Sequence, residues 1–154
     1  MTVIRDARSV EGRRGTMYPA PYNKGFEGRI KRVLGNIGGL TQFGVNLTTL
    51  EPGALSAHRH WHVHEDEFIY VLEGELTLIT DAGEEILGPG TAACFRANDP
   101  DGHHLVNKSA APATYLEIGT RFPDEEAEYP DIDLRLKKRD GKPTFYKKTG
   151  EPYA

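Results

Sequence analysis

Four of the six histidines, His58, His60, His62 and His64, fall within seven residues at a strict period of two, and Glu65, Asp66 and Glu67 follow them. In an extended strand that period sends all four imidazoles to one face. Imidazole nitrogens with a carboxylate are a donor set for zinc, iron, nickel or manganese, and alternating histidines bring neighbouring nitrogens close enough to share one ion. Strand parity alone leaves open which two of the four would bind. A second pair, His103-His104, lies farther along. Leu105 shares a face with His103 and Asn107, Val106 shares one with His104, and either register turns an apolar residue inward.

These residues need a rigid frame, and the surrounding pattern is that of short strands. From Phe43 the chain alternates strictly, with Phe43, Val45 and Leu47 on one face and Gly44, Asn46 and Thr48 on the other, until Glu51-Pro52-Gly53 turns it. Further strands are expected at Glu67–Leu72, 75–80, 84–87, 91–95, 103–107 and Ala113–Thr120, punctuated by Glu73-Gly74, Asp81-Ala82-Gly83, Gly88-Pro89-Gly90 and a loop at 98–102. Many short strands with tight turns read as an all-β antiparallel sandwich or barrel.

The spacing His60-x-His62, four residues, Glu67, six residues, Gly74 resembles the first motif of the cupin superfamily, HxH(x)3–4E(x)6G. Neither His58/His60 nor His62/His64 gives that spacing. The second motif of that family places a histidine four positions before an asparagine, as His103 and Asn107 stand here. The chain departs from the family in having six residues between Gly53 and His60, and Arg96-Ala97-Asn98 where PxG is usual. Asn98 tolerates the left-handed conformation that glycine would adopt there.

The resemblance covers about residues 43–118 and implies a double-stranded β-helix, or jelly roll. Its barrel core would span about 40–121 within one domain of 1–154, with an irregular N-terminal arm at 1–39 and a C-terminal tail at 122–154. It implies one divalent transition metal held in the barrel by His60, His62, Glu67 and His103, with His58 and His64 peripheral and Trp61 facing away. A bend at Glu65-Asp66 is then required, since His62 and Glu67 are five apart and one straight strand would set them on opposite faces. Four protein ligands leave an octahedral ion two open positions. Two functions fit: a small metalloenzyme of isomerase, lyase or decarboxylase, or dioxygenase type acting on a polar, oxygen-rich metabolite, or a non-catalytic module that binds or senses such a metabolite. Tyr70, Arg96 and His104 are the candidates for an additional acid or base.

Composition narrows the partners. Nineteen Lys and Arg against 23 Asp and Glu give a formal charge of −4, which argues against nucleic acid, because phosphate backbones require a basic face. There is no run of eighteen apolar residues and no apolar leader near Met1, so no membrane partner is expected and the cytoplasm is the default address. The single cysteine, Cys94, forms no internal disulfide and is expected as a small buried hydrophobe. In the arm a short strand is expected near 29–34. The charged runs at 124–126 and 137–142 are expected at the solvated surface. Tyr18, Tyr22, Phe26, Ile132, Leu134 and Phe145 lie in segments too polar for a second core and need the barrel or a partner to cover them. A homodimer with the arm or the tail crossing between subunits is therefore expected.

Overall fold

Strict alternation from Phe43 produces one of the two longest strands, and the other elements assemble around it. The computed structural model describes all 154 residues. Its elements are β1 (Arg13–Arg14), β2 (Arg29–Arg32), a single-turn helix α1 (Leu34–Ile37), β3 (Phe43–Leu50), β4 (Trp61–His62), β5 (Glu67–Glu73), β6 (Leu76–Thr80) and β7 (Gly83–Leu87). They continue with β8 (Ala92–Phe95), β9 (His104–Val106), β10 (Ala113–Thr120), β11 (Glu125–Tyr129), β12 (Leu134–Arg139) and β13 (Lys142–Tyr146). No helix is long and apolar enough to cross a membrane.

One wall of the jelly roll is the sheet β1-β2-β3-β10-β5-β8. Opposite it stand the sheets β13-β12-β11-β4 and β7-β6-β9. A single antiparallel bridge between His60 and His103 stitches these two together. Ten buried residues, among them Leu50, Val71, Leu76, Leu78, Leu87 and Leu105, pack between the walls. Burying each such leucine or valine contributes about 1.5–3 kcal/mol. Gly74 closes the β5–β6 turn at φ 76°, and a Cβ there would lie 2.6 Å from the Pro112 carbonyl oxygen. Only glycine satisfies both conditions.

Two expectations for the flanks are corrected. The tail adds three strands, and β11 pairs with β4, so the histidine segment gains its sheet partner from beyond the expected barrel core. The arm and tail also build a small second core. Tyr18 and Tyr22 pack with Ile132, Leu136, Phe145 and Tyr153 around buried Ala127, Tyr129 and Leu134. Aromatics spaced along two polar segments could do this because the segments meet, so the need for a partner to cover them falls away. Within the arm, β2 falls inside the expected 29–34 region and pairs with β3.

Cys94 is exposed. It stands opposite Phe68 on β8, the edge strand, and shares the outward parity of Phe68 and Tyr70. The first charged run is corrected at Glu125, whose residue is 1% exposed.

Candidate metal centre

The histidine segment is not a long strand. Only Trp61 and His62 are in β4, and residues on either side bend away. His58 turns to the arm, its Nε2 lying 2.8 Å from the Tyr22 carbonyl oxygen among the rings of Tyr18 and Phe26. His64 is exposed. That leaves His60 and His62 facing the interior.

His60 and His103 exchange backbone hydrogen bonds, His103 N–H donating to the His60 carbonyl at 2.9 Å and His60 N–H to that of His103 at 3.2 Å. Residues paired in this way project to the same side of the sheet. His103 is thereby turned inward, and His104 is turned to the Ala57 carbonyl, 2.9 Å from its Nδ1. Burial holds the His104 pKa below its usual value. Asn98, at φ 59°, adopts the left-handed conformation and donates its N–H to the His62 carbonyl at 2.8 Å.

The opposite wall brings Glu67, the first residue of β5. The loop before it is pinned by Asp66, whose carboxylate accepts from Ala97 N–H, and by Glu65, which accepts from Phe122 N–H and from Lys138 Nζ. This supplies the bend required between His62 and Glu67. Glu67 Oε2 lies 2.8 Å from His103 Nε2 and 3.8 Å from His60 Nε2, and Oε1 lies 3.5 Å from His62 Nε2. Donor atoms of His60, His62 and Glu67 all fall within 4.8 Å of one another.

Aromatic rings fix the imidazoles. Phe95 stacks on His103 at 3.6 Å with planes 4° apart, and Tyr129 stacks on His60 at 5.6 Å. His60 Nδ1 lies 2.8 Å from the His58 carbonyl oxygen. An N–H there leaves the Nε2 lone pair pointing at Glu67, the tautomer a metal ligand needs.

Electrostatics support the same use. Burial pushes the His60 pKa down to about 3, so it is neutral. Burial also opposes charge on His62, but Glu67, with help from Glu125 and Glu65, outweighs it and raises the pKa to about 9. Burial alone would raise the Glu67 pKa, but the surrounding imidazoles hold it well below the usual carboxylate range. A carboxylate facing three imidazole nitrogens, with one net positive charge among the rings, is a donor set that fits a divalent ion in place of that excess proton.

Some site residues lay outside the sequence reading. The cavity that these side chains line has a volume of about 790 Å³ and is also walled by Arg29, Lys31, Asn46, Tyr115, Glu117 and Arg121, together with Lys138 from the tail. Glu117 pairs with Lys31 Nζ at 3.0 Å. A charge in the middle of Tyr115-Leu116-Glu117-Ile118 was the available signal, because alternation puts Glu117 on the face of Glu67. Of the expected acid or base candidates, only His104 lines this cavity. Tyr70 faces outward, opposite Leu116. Arg96 lines a smaller cavity of about 240 Å³, together with Trp61.

Glu125 is the other residue that sequence reasoning missed. Its Oε1 accepts N–H groups from Val63, His64 and Glu126 at 3.0, 3.1 and 2.7 Å, holding the segment that follows His62. His62, Glu65 and Glu125 also approach one another, but Glu125 is spent on backbone donors and Glu65 on Lys138.

The family model for the Cupin domain matches residues 46–119. A sugar phosphate isomerase of the cupin superfamily from Silicibacter pomeroyi DSS-3 is 48% identical, with 97% of this chain and 95% of that one covered and a TM-score of 0.92. The chain belongs to the cupin superfamily. This cupin is also similar to a protein from Acidithiobacillus ferrooxidans ATCC 23270 provisionally named a sugar phosphate isomerase, at 29% identity over 79% of this chain and 77% of that one, with a TM-score of 0.74. The polyketide cyclase RemF from Streptomyces resistomycificus shares the fold at 23% identity, 78% and 80% coverage, and a TM-score of 0.64. No curated protein matches the cupin significantly.

Proposed function

We propose that this cupin, acting as one domain over residues 1–154, is a metal-dependent isomerase of sugar phosphates, with His60, His62, Glu67 and His103 holding one divalent transition ion. The observation that carries the substrate class is the 48% identity to the Silicibacter pomeroyi sugar phosphate isomerase across 97% of the chain. The convergence of three imidazole Nε2 atoms on one carboxylate supports the metal. When bound, such an ion would polarise a carbonyl and the hydroxyl next to it.

The residues of the chain account for the rest of the reaction. Aldose–ketose isomerisation moves a proton between adjacent carbons, and a carboxylate outside the ligand set suits that transfer. Glu117 is such a group. On the sheet it is a diagonal neighbour of Glu67, since Glu117 faces Ile69 and Glu67 faces Gly119, and diagonal neighbours lie about 7–8 Å apart. Lys31 Nζ pairs with Glu117 and fixes its carboxylate in the cavity wall, beside Ile69, Phe95 and Tyr115.

Assembly is part of the proposal. We place a second copy of the chain against the convex face of the large sheet. There Tyr70 and Leu72 are 38% and 41% exposed beside Phe68, and β8 is an unpaired edge. Exposed apolar residues beside an open edge suit a symmetric homodimer.

The test of the reaction is turnover of a panel of aldose and ketose phosphates by the metal-loaded protein, followed by NMR. Interconversion that stops in His60→Ala supports the isomerase. Tight binding of the same compounds without turnover would favour the non-catalytic module instead.

A further inference from the structure

The cavity carries charge opposite to that of the chain. Arg29, Lys31, Arg121 and Lys138 line it against the carboxylates of Glu65, Glu67 and Glu117, in a molecule of formal charge −4. A divalent ion would make the cavity more positive still. A concave surface with this imbalance concentrates anions.

The four cations are not equally free. Lys31 is paired with Glu117, and Lys138 with Glu65. Arg29 spends Nη1 on the Ser56 carbonyl and Nη2 on the Gly15 carbonyl, both at 2.6 Å. Arg121 makes no carboxylate pair, and its side chain has one hydrogen bond, from Nη1 to the Leu40 carbonyl at 3.3 Å. Its Nε and Nη2 remain available.

The position of Arg121 follows from the strand register. Gly119 of β10 stands directly opposite Glu67 on one side and Gly44 on the other. Arg121 is two residues beyond Gly119 with the same parity, about 7 Å along the strand direction from the carboxylate level. The guanidinium lies over Gly44, where a Cβ would come 3.2 Å from both Nε and Nη2. Glycine at 44 therefore clears the shelf on which this cation rests.

We propose that Arg121 is the anion anchor of the cavity, binding the phosphate of a phosphomonoester whose polyol end reaches the level of Glu67. This assignment rests on the sugar phosphate reading and adds the residue that would select the phosphate. Two parallel N–H donors on a planar guanidinium match two phosphate oxygens.

The experiment is equilibrium titration calorimetry of the zinc-loaded full chain with sorbitol 6-phosphate and with sorbitol, neither of which an aldose–ketose isomerase can turn over. It is repeated on Arg121→Gln, Gly44→Ala and, as a control of equal charge change, Arg13→Gln, with metal content measured on each. The wild type is expected to prefer the phosphate ester by about tenfold or more, the scale of a charge-assisted hydrogen bond. Arg121→Gln should lose that preference while keeping its metal and its sorbitol affinity, Gly44→Ala should lose part of it, and Arg13→Gln should keep it. Preference retained in Arg121→Gln would overturn the anchor and leave the sugar phosphate reading standing. No preference in the wild type would overturn the anchor too, and turnover of the aldose and ketose phosphate panel would then decide the broader reading separately.

Discussion

His103 and His104 carry the same imidazole on adjacent positions, and a pair of backbone hydrogen bonds to His60 separates their fates. His103 meets Glu67, whereas His104 meets the Ala57 carbonyl. Metal per chain, measured by mass spectrometry on purified variants without a histidine tag, should fall to near zero in His60→Ala and His103→Ala and remain near wild type in His104→Ala. Loss in His104→Ala alone would sink the ligand set. A pH dependence follows from His62. With its pKa raised to about 9, the metal-free site holds a proton at neutral pH that the ion must displace. Apparent affinity should therefore rise about tenfold per pH unit up to pH ~9 and flatten above it. His60, with a pKa near 3, is already neutral and adds no proton to this release. Calorimetry in buffers of different ionisation enthalpy would count the protons, and a count of zero at pH 7 would contradict the charged His62.

At the scale of elements, the site depends on β11, a strand from the polar tail. Glu125 is buried and accepts three backbone N–H groups, taking that of His64, which has no backbone acceptor, and sharing that of Val63 with the Glu126 carbonyl. Glu125→Gln should cost about 1–3 kcal/mol in denaturant unfolding, the penalty for leaving buried donors poorly satisfied. Metal affinity should also weaken by about 10–100-fold, as is typical when a residue supporting a ligand is changed. Unchanged affinity in this variant would show that the histidine segment holds its shape without β11. Local alternation placed β3 because its two faces meet different environments, Gly44 and Asn46 turning to the cavity while Phe43 is 40% exposed on the other side. The same rule failed for the tail, where charge on both faces is satisfied by partners distant in sequence, such as Lys138 on Glu65.

For the whole molecule, stability comes from the apolar core packed between the walls rather than from the candidate metal site, so folding should survive chelation. Removal of the ion should lower Tm by roughly 5–10 °C when free metal had stood a hundredfold above its Kd, with one cooperative transition retained. Disappearance of the β-sheet circular dichroism on chelation would make the ion structural. Assembly has its own test. Sedimentation of the full chain should give a dimer at micromolar concentration, and Tyr70→Glu should give a folded monomer by placing charge on the convex face. A dimer unaffected by that change would locate the interface elsewhere.

The residue order by itself determined the all-β architecture, since alternation and turn residues act over a few positions where neighbours in sequence are neighbours in space. Through its family spacing, it also picked out His60, His62, Glu67 and His103 as candidate ligands, and the fold brings these four side chains together. Tertiary structure alone decided what surrounds them. Arg121 and Glu117 reach the cavity by strand register, Lys138 reaches it and Glu125 reaches the backbone after His62 because the tail folds back onto β4, and the arm and tail aromatics find each other across more than a hundred residues of chain. Contacts between segments so far apart have no periodic trace in either one, because each side chain is chosen to fit a surface that exists only after both have folded.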